Sequence, residues 1–526
     1  MEPKVRIAPT MELCQVVSSY RSHVLHCSIY IALSGYAFQS ALSAQSQSLW
    51  GFVVLCSLPA CLCLWALQHE VSYMIKRSRL PPGDSGYPIV GDFPNFAKNS
   101  TKFLTAGRKQ YGPMWTFNNL MIPCVVLTDP EDVKWLSTKE RQGTVGAFNL
   151  EVFQRLVGKD AIMFQVGREH RMLRKIFEPA FTPTAVRDYA ETMDVTTQAT
   201  LKKWAASSNF MSSKEWSMLA LRIFFVCAFG EIDEVKLEQL CDLFKGWVKG
   251  FELTIPIEYP GGALHRGHKY KHRLERVLSD MVKEFKKKHP IDSDMARSSV
   301  LGRLCYSQDD DGKLPSDKVL LENLRSFLFA GFDTTKGTFG ALSHYLTKHS
   351  DIRELLVEEV KSFREPLNAE ELKNAPLLNA VLSETWRMAA PLSSHATRAL
   401  GDIRYKGYVF PKGTMLWTDI QGYNADSSVF SNASDFRVAR WLPPYHPLYD
   451  ASLHKAKIDP NVMSPHFRTF NTGPHMCLGA HFAKQEVRIV VTRMLQRYDF
   501  EIRNEIVKRF PLFQMINELK LTEREQ

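Results

Sequence analysis

Apolar positions recur along this chain with more than one period, and the changes of period mark its organisation. Residues 49–67 form one apolar run without a charge, LWGFVVLCSLPACLCLWAL. A helix of that length spans about 30 Å, the hydrocarbon thickness of a bilayer. Pro59 kinks such a span without forbidding it. Short strand-like runs follow at 114–117 and 124–127. From about Glu131 onward apolar residues return every three or four positions, and Gly and Pro separate the segments without an obvious repeat. The pattern predicts a mainly α chain with small β-sheets behind an N-terminal transmembrane anchor.

Upstream, residues 24–42 are a weaker apolar stretch, and no Asp or Glu occurs from residue 13 to residue 69. A second membrane segment, a signal-like region and an organellar transit peptide all fit that composition. Lys76, Arg77 and Arg79 follow the main span, and basic flanks stay cytoplasmic, so the rest of the chain is expected to face the cytosol. Leu80, Pro81, Pro82 and Gly83 open a stiff connector that ends near Gly91. The resulting division is 1–48 (N-terminal region), 49–67 (transmembrane helix), 68–91 (basic and proline-rich hinge) and 92–526 (catalytic domain).

The net charge of +10 admits an anionic membrane, an acidic protein or nucleic acid as a partner. No zinc-finger spacing or arginine-rich arm supports nucleic acid. The ten cysteines show no regular framework, which points to free thiols in a reducing compartment.

Four separated clusters carry the chemistry. Cys477 lies in a short loop between Gly473 and Gly479, with a helical pattern from residue 481 to 496. A thiolate at a helix N-terminus is stabilised by unpaired N–H groups, which suits axial ligation of a haem iron. The bland alternative is a core cysteine before an amphipathic helix. Within a long apolar helix at 320–347 stands the polar interruption Ala330, Gly331, Phe332, Asp333, Thr334 and Thr335. The Thr334 hydroxyl can compete for a helix carbonyl and open a small groove; a simple kink is the alternative. His170 and Arg174 share a helix face and could hold a buried carboxylate, as opposed to lying on a solvated basic face with Arg168, Arg171 and Lys175. Glu384 and Arg387 can meet at i, i+3, and their apolar flanks suggest burial, which demands a third charged or polar partner. The acidic run Asp309 to Asp311 fails the calcium-loop spacing and is expected to be an exposed turn.

The pattern Phe470-x-x-Gly473-x-x-x-Cys477-x-Gly479 resembles the haem-ligand signature of the cytochrome P-450 superfamily. Asn471 stands where that family usually has glycine and His475 where it usually has arginine. The other three clusters occur in family order, and the resemblance covers the chain from about Leu80. It implies the cytochrome P-450 fold and a haem with Cys477 as the metal ligand. Thr334 would steady dioxygen and Asp333 would help deliver protons. His170, Arg174, His475 and Arg398 would meet the haem propionates, and Phe470 would shield the thiolate. Arg440 would complete the ion network of Glu384 and Arg387. Stretches at 167–204 and 255–261 are in the style of the branch that hydroxylates sterols, retinoids and other isoprenoids.

The resemblance further implies a monooxygenase that uses dioxygen and a lipophilic substrate. A sterol, triterpenoid or retinoid-like isoprenoid is favoured over a fatty acid. Phe327, Phe332, Ala389, Leu392 and residues 510–513 are expected to line the pocket. Electrons would come from a separate NADPH-cytochrome P-450 reductase, or from a ferredoxin in an organelle. The endoplasmic reticulum membrane is the favoured location and a plastid or mitochondrial membrane the alternative. Two rival functions remain at this level: a haem-thiolate isomerase of lipid peroxides, and a non-enzymatic haem sensor.

Overall fold

A computed structural model describes residues 61, 64–65, 67–69, 71–87, 90–147, 151–230, 232–252, 258–453, 467–508 and 514–524. Among the described residues no helix is long and apolar enough to cross a membrane. The span expected at 49–67 lies outside the described residues except for Cys61, Leu64, Trp65 and Leu67, and the expected pocket segment 510–513 lies wholly outside them. Two compact units emerge: residues up to 139 with 144–146 and 394–422, and residues 140–143 with 147–393 and 423 onward.

The first unit is built on a five-stranded sheet. Its strands are β1 (Met114–Asn119), β2 (Ile122–Leu127), β3 (Val145–Ala147), β4 (His395–Ala399) and, after the small hairpin β5 (Ile403–Tyr405) and β6 (Tyr408–Phe410), β7 (Met415–Thr418). The order is β1-β2-β7-β4-β3. β1 and β2 pair antiparallel with Met114 opposite Leu127, and β2 runs parallel to β7. Val125, Leu127 and Leu416 are fully buried, as β-branched and large apolar side chains on one sheet face should be, and Phe410 of the hairpin joins them in the same core. The β1–β2 turn is made by Leu120 and Met121, both at positive φ, where sequence alone would look for Gly or Asn.

The proline-rich connector is stitched to this sheet. Thr116 N–H donates to the Pro82 carbonyl at 2.8 Å, and Gly83 pairs with Thr116 as a bridge. A Cβ on Gly83 would stand 1.7 Å from the Thr116 oxygen, so only glycine fits. The Arg77 guanidinium turns back onto the carbonyls of Pro81 (2.6 Å) and Gly83 (3.1 Å).

The second unit is helical. Four helices carry the candidate site: α1 (Gly167–Phe177), α2 (Asp317–Lys348), α3 (Pro376–Met388) and α4 (Ala480–Arg497). The hairpin of β8 (Tyr498–Lys508) and β9 (Gln514–Glu523) completes it. α4 is apolar around most of its circumference, from Val487 to Leu495, and is correspondingly buried. Among the polar residues inside it, Arg493 is clamped by Asp194 and Glu365 and Arg488 donates to Asn379 at 2.8 Å, while Gln485, Glu486 and Thr492 each keep one polar atom without a hydrogen-bond partner among the described residues. Phe177, Phe225, Leu328, Leu346, Val381 and Val490 lie in one continuous core. The acidic run at 309–311 is an exposed turn.

Candidate active site

The Cys477 loop is a tight, closed structure. The Cys477 N–H donates to the Phe470 carbonyl at 2.9 Å, and Met476 N–H to Gly473 at 3.2 Å. Closure requires left-handed backbone at Asn471 (φ 59°) and Gly473 (φ 77°). Asparagine tolerates that conformation better than most residues, and here its side chain also works. Its Nδ2 donates to the His475 carbonyl (3.3 Å), and its Oδ1 accepts from Arg468 (2.7 Å). Arg468 is buried, lies over the Tyr423 ring at 5.5 Å, and its Nε and Nη1 find no hydrogen-bond partner among the described residues. Nothing in the sequence distinguished Arg468 from a surface arginine.

Cys477 presents accessible surface in a recess of the protein. That enclosure pushes its thiol pKa up, while the Gly479 N–H and the charges of Arg174 and Lys484 pull it down. A cation or metal in front of the sulfur would complete the downward pull.

Arg174 braces the loop from outside. Its Nη1 donates to the carbonyls of Pro474 (3.2 Å) and Met476 (2.8 Å), on either side of His475, and its Nη2 meets Glu178. His170, one turn earlier on α1, is buried with its ring 4.1 Å from that of His475. Burial, helped by the charges of Arg174 and Arg171, lowers its pKa to about 4, so His170 is neutral at pH 7. The structure thus brings His170, Arg174, His475 and Cys477 together. Arg168, Arg171 and Lys175 are exposed. Arg398 is an exposed residue of β4, in the other unit.

Phe470 meets the Trp386 ring at 5.1 Å, edge to face, with the Lys484 ammonium 5.3 Å from its own centroid. Trp386 is a link that sequence reading missed. Its carbonyl accepts from Thr469 beside the loop (3.1 Å), and its indole N–H donates to Thr338 Oγ1 on α2 (3.3 Å). Thr338 in turn donates to the carbonyl of Thr334 at 3.2 Å.

The middle of α2 differs from its ends. Ala330 and Gly331 are exposed while residues 320–326 and 337–343 are buried. No atom lies within 4 Å of where a side chain on Gly331 would begin, and the same holds at Gly479. The Thr334 hydroxyl donates to the Ala330 carbonyl at 2.7 Å, the local competition expected from the sequence. Asp333 is ion-paired with Lys336 one turn on. Phe332 packs on Phe244, with centroids 4.7 Å apart, and Phe327 sits edge-on between Phe177 and Phe181 as a core contact. Ala389 is buried and Leu392 half-buried.

Behind the loop, Glu384 has no exposed surface and accepts five hydrogen bonds: two from Arg387 (2.8 Å each), one from Arg440 (3.0 Å), one from Trp441 (2.8 Å) and one from the Arg437 N–H (2.8 Å). Arg387 spends its other donors on the carbonyls of Asn424, Ala433 and Asp435. The third charge that burial demanded is Arg440.

These residues suit a haem on physical grounds. Open space lies at Cys477 and at Ala330–Gly331, where a flat macrocycle needs it, and the Gly479 N–H with the charges of Arg174 and Lys484 opposes the upward push of burial on the thiol. Comparison with known proteins agrees. The chain is 25% identical to abscisic acid 8'-hydroxylase 4 of Arabidopsis thaliana over 452 residues, covering 84% of this chain and 92% of the relative. It is 27% identical to abscisic acid 8'-hydroxylase 3 of Oryza sativa subsp. indica, covering 91% and 89%. A solved structure of a cyanobacterial CYP120A1 with retinoic acid bound superposes with a TM-score of 0.72 at 26% identity, covering 85% of this chain and 99% of that one. The family profile for Cytochrome P450 matches residues 81–522, and the chain belongs to that family of haem-thiolate monooxygenases.

Proposed function

We propose that this enzyme hydroxylates an isoprenoid, with electrons from a separate reductase and with residues 92–526 as its catalytic domain. The observation that carries the monooxygenase chemistry is the acid–alcohol pair Asp333/Thr334 beside the exposed Ala330–Gly331 turn. Bound at Cys477, the haem supplies reductive activation of dioxygen, which the thiolate's electron donation favours.

The chain's own residues then have defined tasks. Cys477 would hold the haem iron through its sulfur. Arg174 and Asn471 fix the loop so that the sulfur stays in place. His170, His475 and Arg398 are the candidates for the haem carboxylates, with Arg174 sharing that task through its remaining donors. Phe470 shields the sulfur, and Gly473 and Gly479 leave room beside it. Thr334 holds a proton at Oγ1, now directed at the Ala330 carbonyl, and turning it toward a ligand costs one hydrogen bond. Asp333, partly exposed, carries protons in from solvent, with Lys336 as its counter-ion.

Two relatives support an isoprenoid substrate, one named for abscisic acid and the other solved with retinoic acid. A sterol or triterpenoid belongs to the same chemical class. Exposed apolar residues near the N-terminus (Leu64, Trp65, Val71 and Ile75) support attachment to a membrane, with that of the endoplasmic reticulum favoured. Conversion of an isoprenoid panel by the purified protein with NADPH and reductase under labelled dioxygen tests the proposal. One labelled oxygen atom in the product is expected. Turnover of a lipid peroxide without reductase would favour an isomerase instead. A reduced carbon monoxide complex lacking the red-shifted Soret band would remove Cys477 as ligand.

A further inference from the structure

Gln514 opens β9 and is buried, yet its side chain reaches the main chain of the Asp333–Thr334 turn. Its Nε2 donates to the Asp333 carbonyl at 3.1 Å. The carbonyls of Ala330 and Thr334 likewise receive side-chain donors, from Thr334 and Thr338. In a regular helix these carbonyls serve backbone N–H groups alone. Extra donors of this kind tilt a peptide out of the ladder and bend the helix locally. The donors at Ala330 and Thr334 come from α2 itself, whereas the donor at Asp333 comes from another element.

That element cannot slide. A Cβ on Gly340 would lie 1.9 Å from the Met515 oxygen, so β9 and α2 meet backbone to backbone. Asn517 Nδ2 donates to the Gly340 carbonyl and to the Ser343 hydroxyl, both at 3.1 Å. From Asp333 to Gly340 the helix rises about 10.5 Å. From Gln514 to Asn517 the strand advances about 10 Å. The two lengths are alike, and both anchors, Met515 and Asn517, lie within three residues of Gln514, so holding them on α2 holds Gln514 within reach of Asp333.

We propose that Gln514 is a positioning residue for Asp333 and Thr334, which rests on reading their turn as the oxygen-activating site. Its amide sets the tilt of the Asp333–Thr334 peptide, and hence the directions in which the carboxyl and the Thr334 hydroxyl leave the helix. Lys336 fixes the same aspartate through its side chain.

Gln514→Met keeps the volume and removes the amide. Peroxide released per product formed should rise about 3- to 10-fold, the size of one hydrogen bond. The carbon monoxide spectrum and the substrate-induced spin shift should not change. In substrate-free protein, hydrogen exchange over residues 330–337 should quicken by a similar factor. Gln514→Glu replaces the donor by an acceptor at neutral pH, should act in the same direction, and carries the test if the methionine variant does not hold haem. Unchanged peroxide ratio and exchange in these variants overturn the proposal. Thr334→Ala serves as the control. If it uncouples and the Gln514 variants do not, only the role of Gln514 falls. If none uncouples, the assignment of the turn falls as well.

Discussion

The Cys477 loop and the middle of α2 form two parts of one candidate site, built in opposite ways. Around the loop, charged and polar groups interlock: Glu384 accepts five hydrogen bonds, and Arg174 and Asn471 tie down the carbonyls beside the cysteine, while Arg468 alone of these leaves donors without a partner among the described residues. At Ala330 and Gly331 the helix is exposed, and from there to Thr334 its hydrogen bonding is partly diverted to side chains. Many interlocking bonds hold a geometry that must not change during a reaction, whereas a few divertible ones suit a group that must move a proton. Damage to the first region should therefore cost the folded, haem-holding protein, and damage to the second should cost only coupling.

Glu384→Ala gives the largest expected effect. It leaves Arg387 and Arg440 buried without their acid, which costs about 3–5 kcal/mol. The variant should accumulate without haem and melt well below the parent, as thermal unfolding and the absorbance spectrum will show. A stable, haem-loaded Glu384→Ala protein would erase the contrast. Thr334→Ala comes next: product formation should fall roughly 10-fold or more while reduction continues and peroxide appears, with the melting temperature little changed. A large loss of stability there would show that the helix centre is as interlocked as the loop.

Glu486 on α4, like Arg468, departs from that interlocking. It is fully buried, its Oε1 has no partner among the described residues, and burial raises its pKa to about 8. The unfolded chain releases that proton near the ordinary carboxylate value of about 4.3, so between there and pH 8 the folded state binds more protons. Stability must then fall as pH rises through that window. Glu486→Gln should remove the decline and raise stability at pH 8 by at least about 1 kcal/mol. Melting curves at pH 5, 6.5 and 8 that run parallel for both proteins would contradict this. Asn471→Gly is the smallest expected change. It relaxes the backbone at positive φ but loses the bonds to Arg468 and His475, and the two effects should cancel to within about 1 kcal/mol. A large destabilisation would assign Asn471 a greater share of the loop's rigidity than its φ angle does.

Much of this was legible in the sequence where partners lie within one or two turns. His170 and Arg174, Glu384 and Arg387, and Thr334 with Ala330 are helix neighbours, and helical spacing announces them. Left-handed backbone at Asn471 was legible from residue type. What could not be read are contacts that only the fold brings together. Gln514 lies 181 positions from Asp333, and Trp386 is 48 from Thr338 and 83 from Thr469. The turn at Leu120 and Met121 carried no glycine or asparagine to betray it. Arg77 read as part of a basic flank to a membrane span, yet its guanidinium is folded onto the connector.

That last arrangement bears on mechanics. Because Pro82 and Gly83 are stitched to β1 and Arg77 grips the carbonyls of Pro81 and Gly83, the chain leaves the sheet as a cantilever, not as a leash. Residues inserted between Arg79 and Pro82 would break the joint without adding reach, whereas residues inserted before Tyr73 would lengthen the arm and leave the joint intact. The direction in which residues 71–79 leave the first unit is thus set at the joint, by one arginine and one glycine.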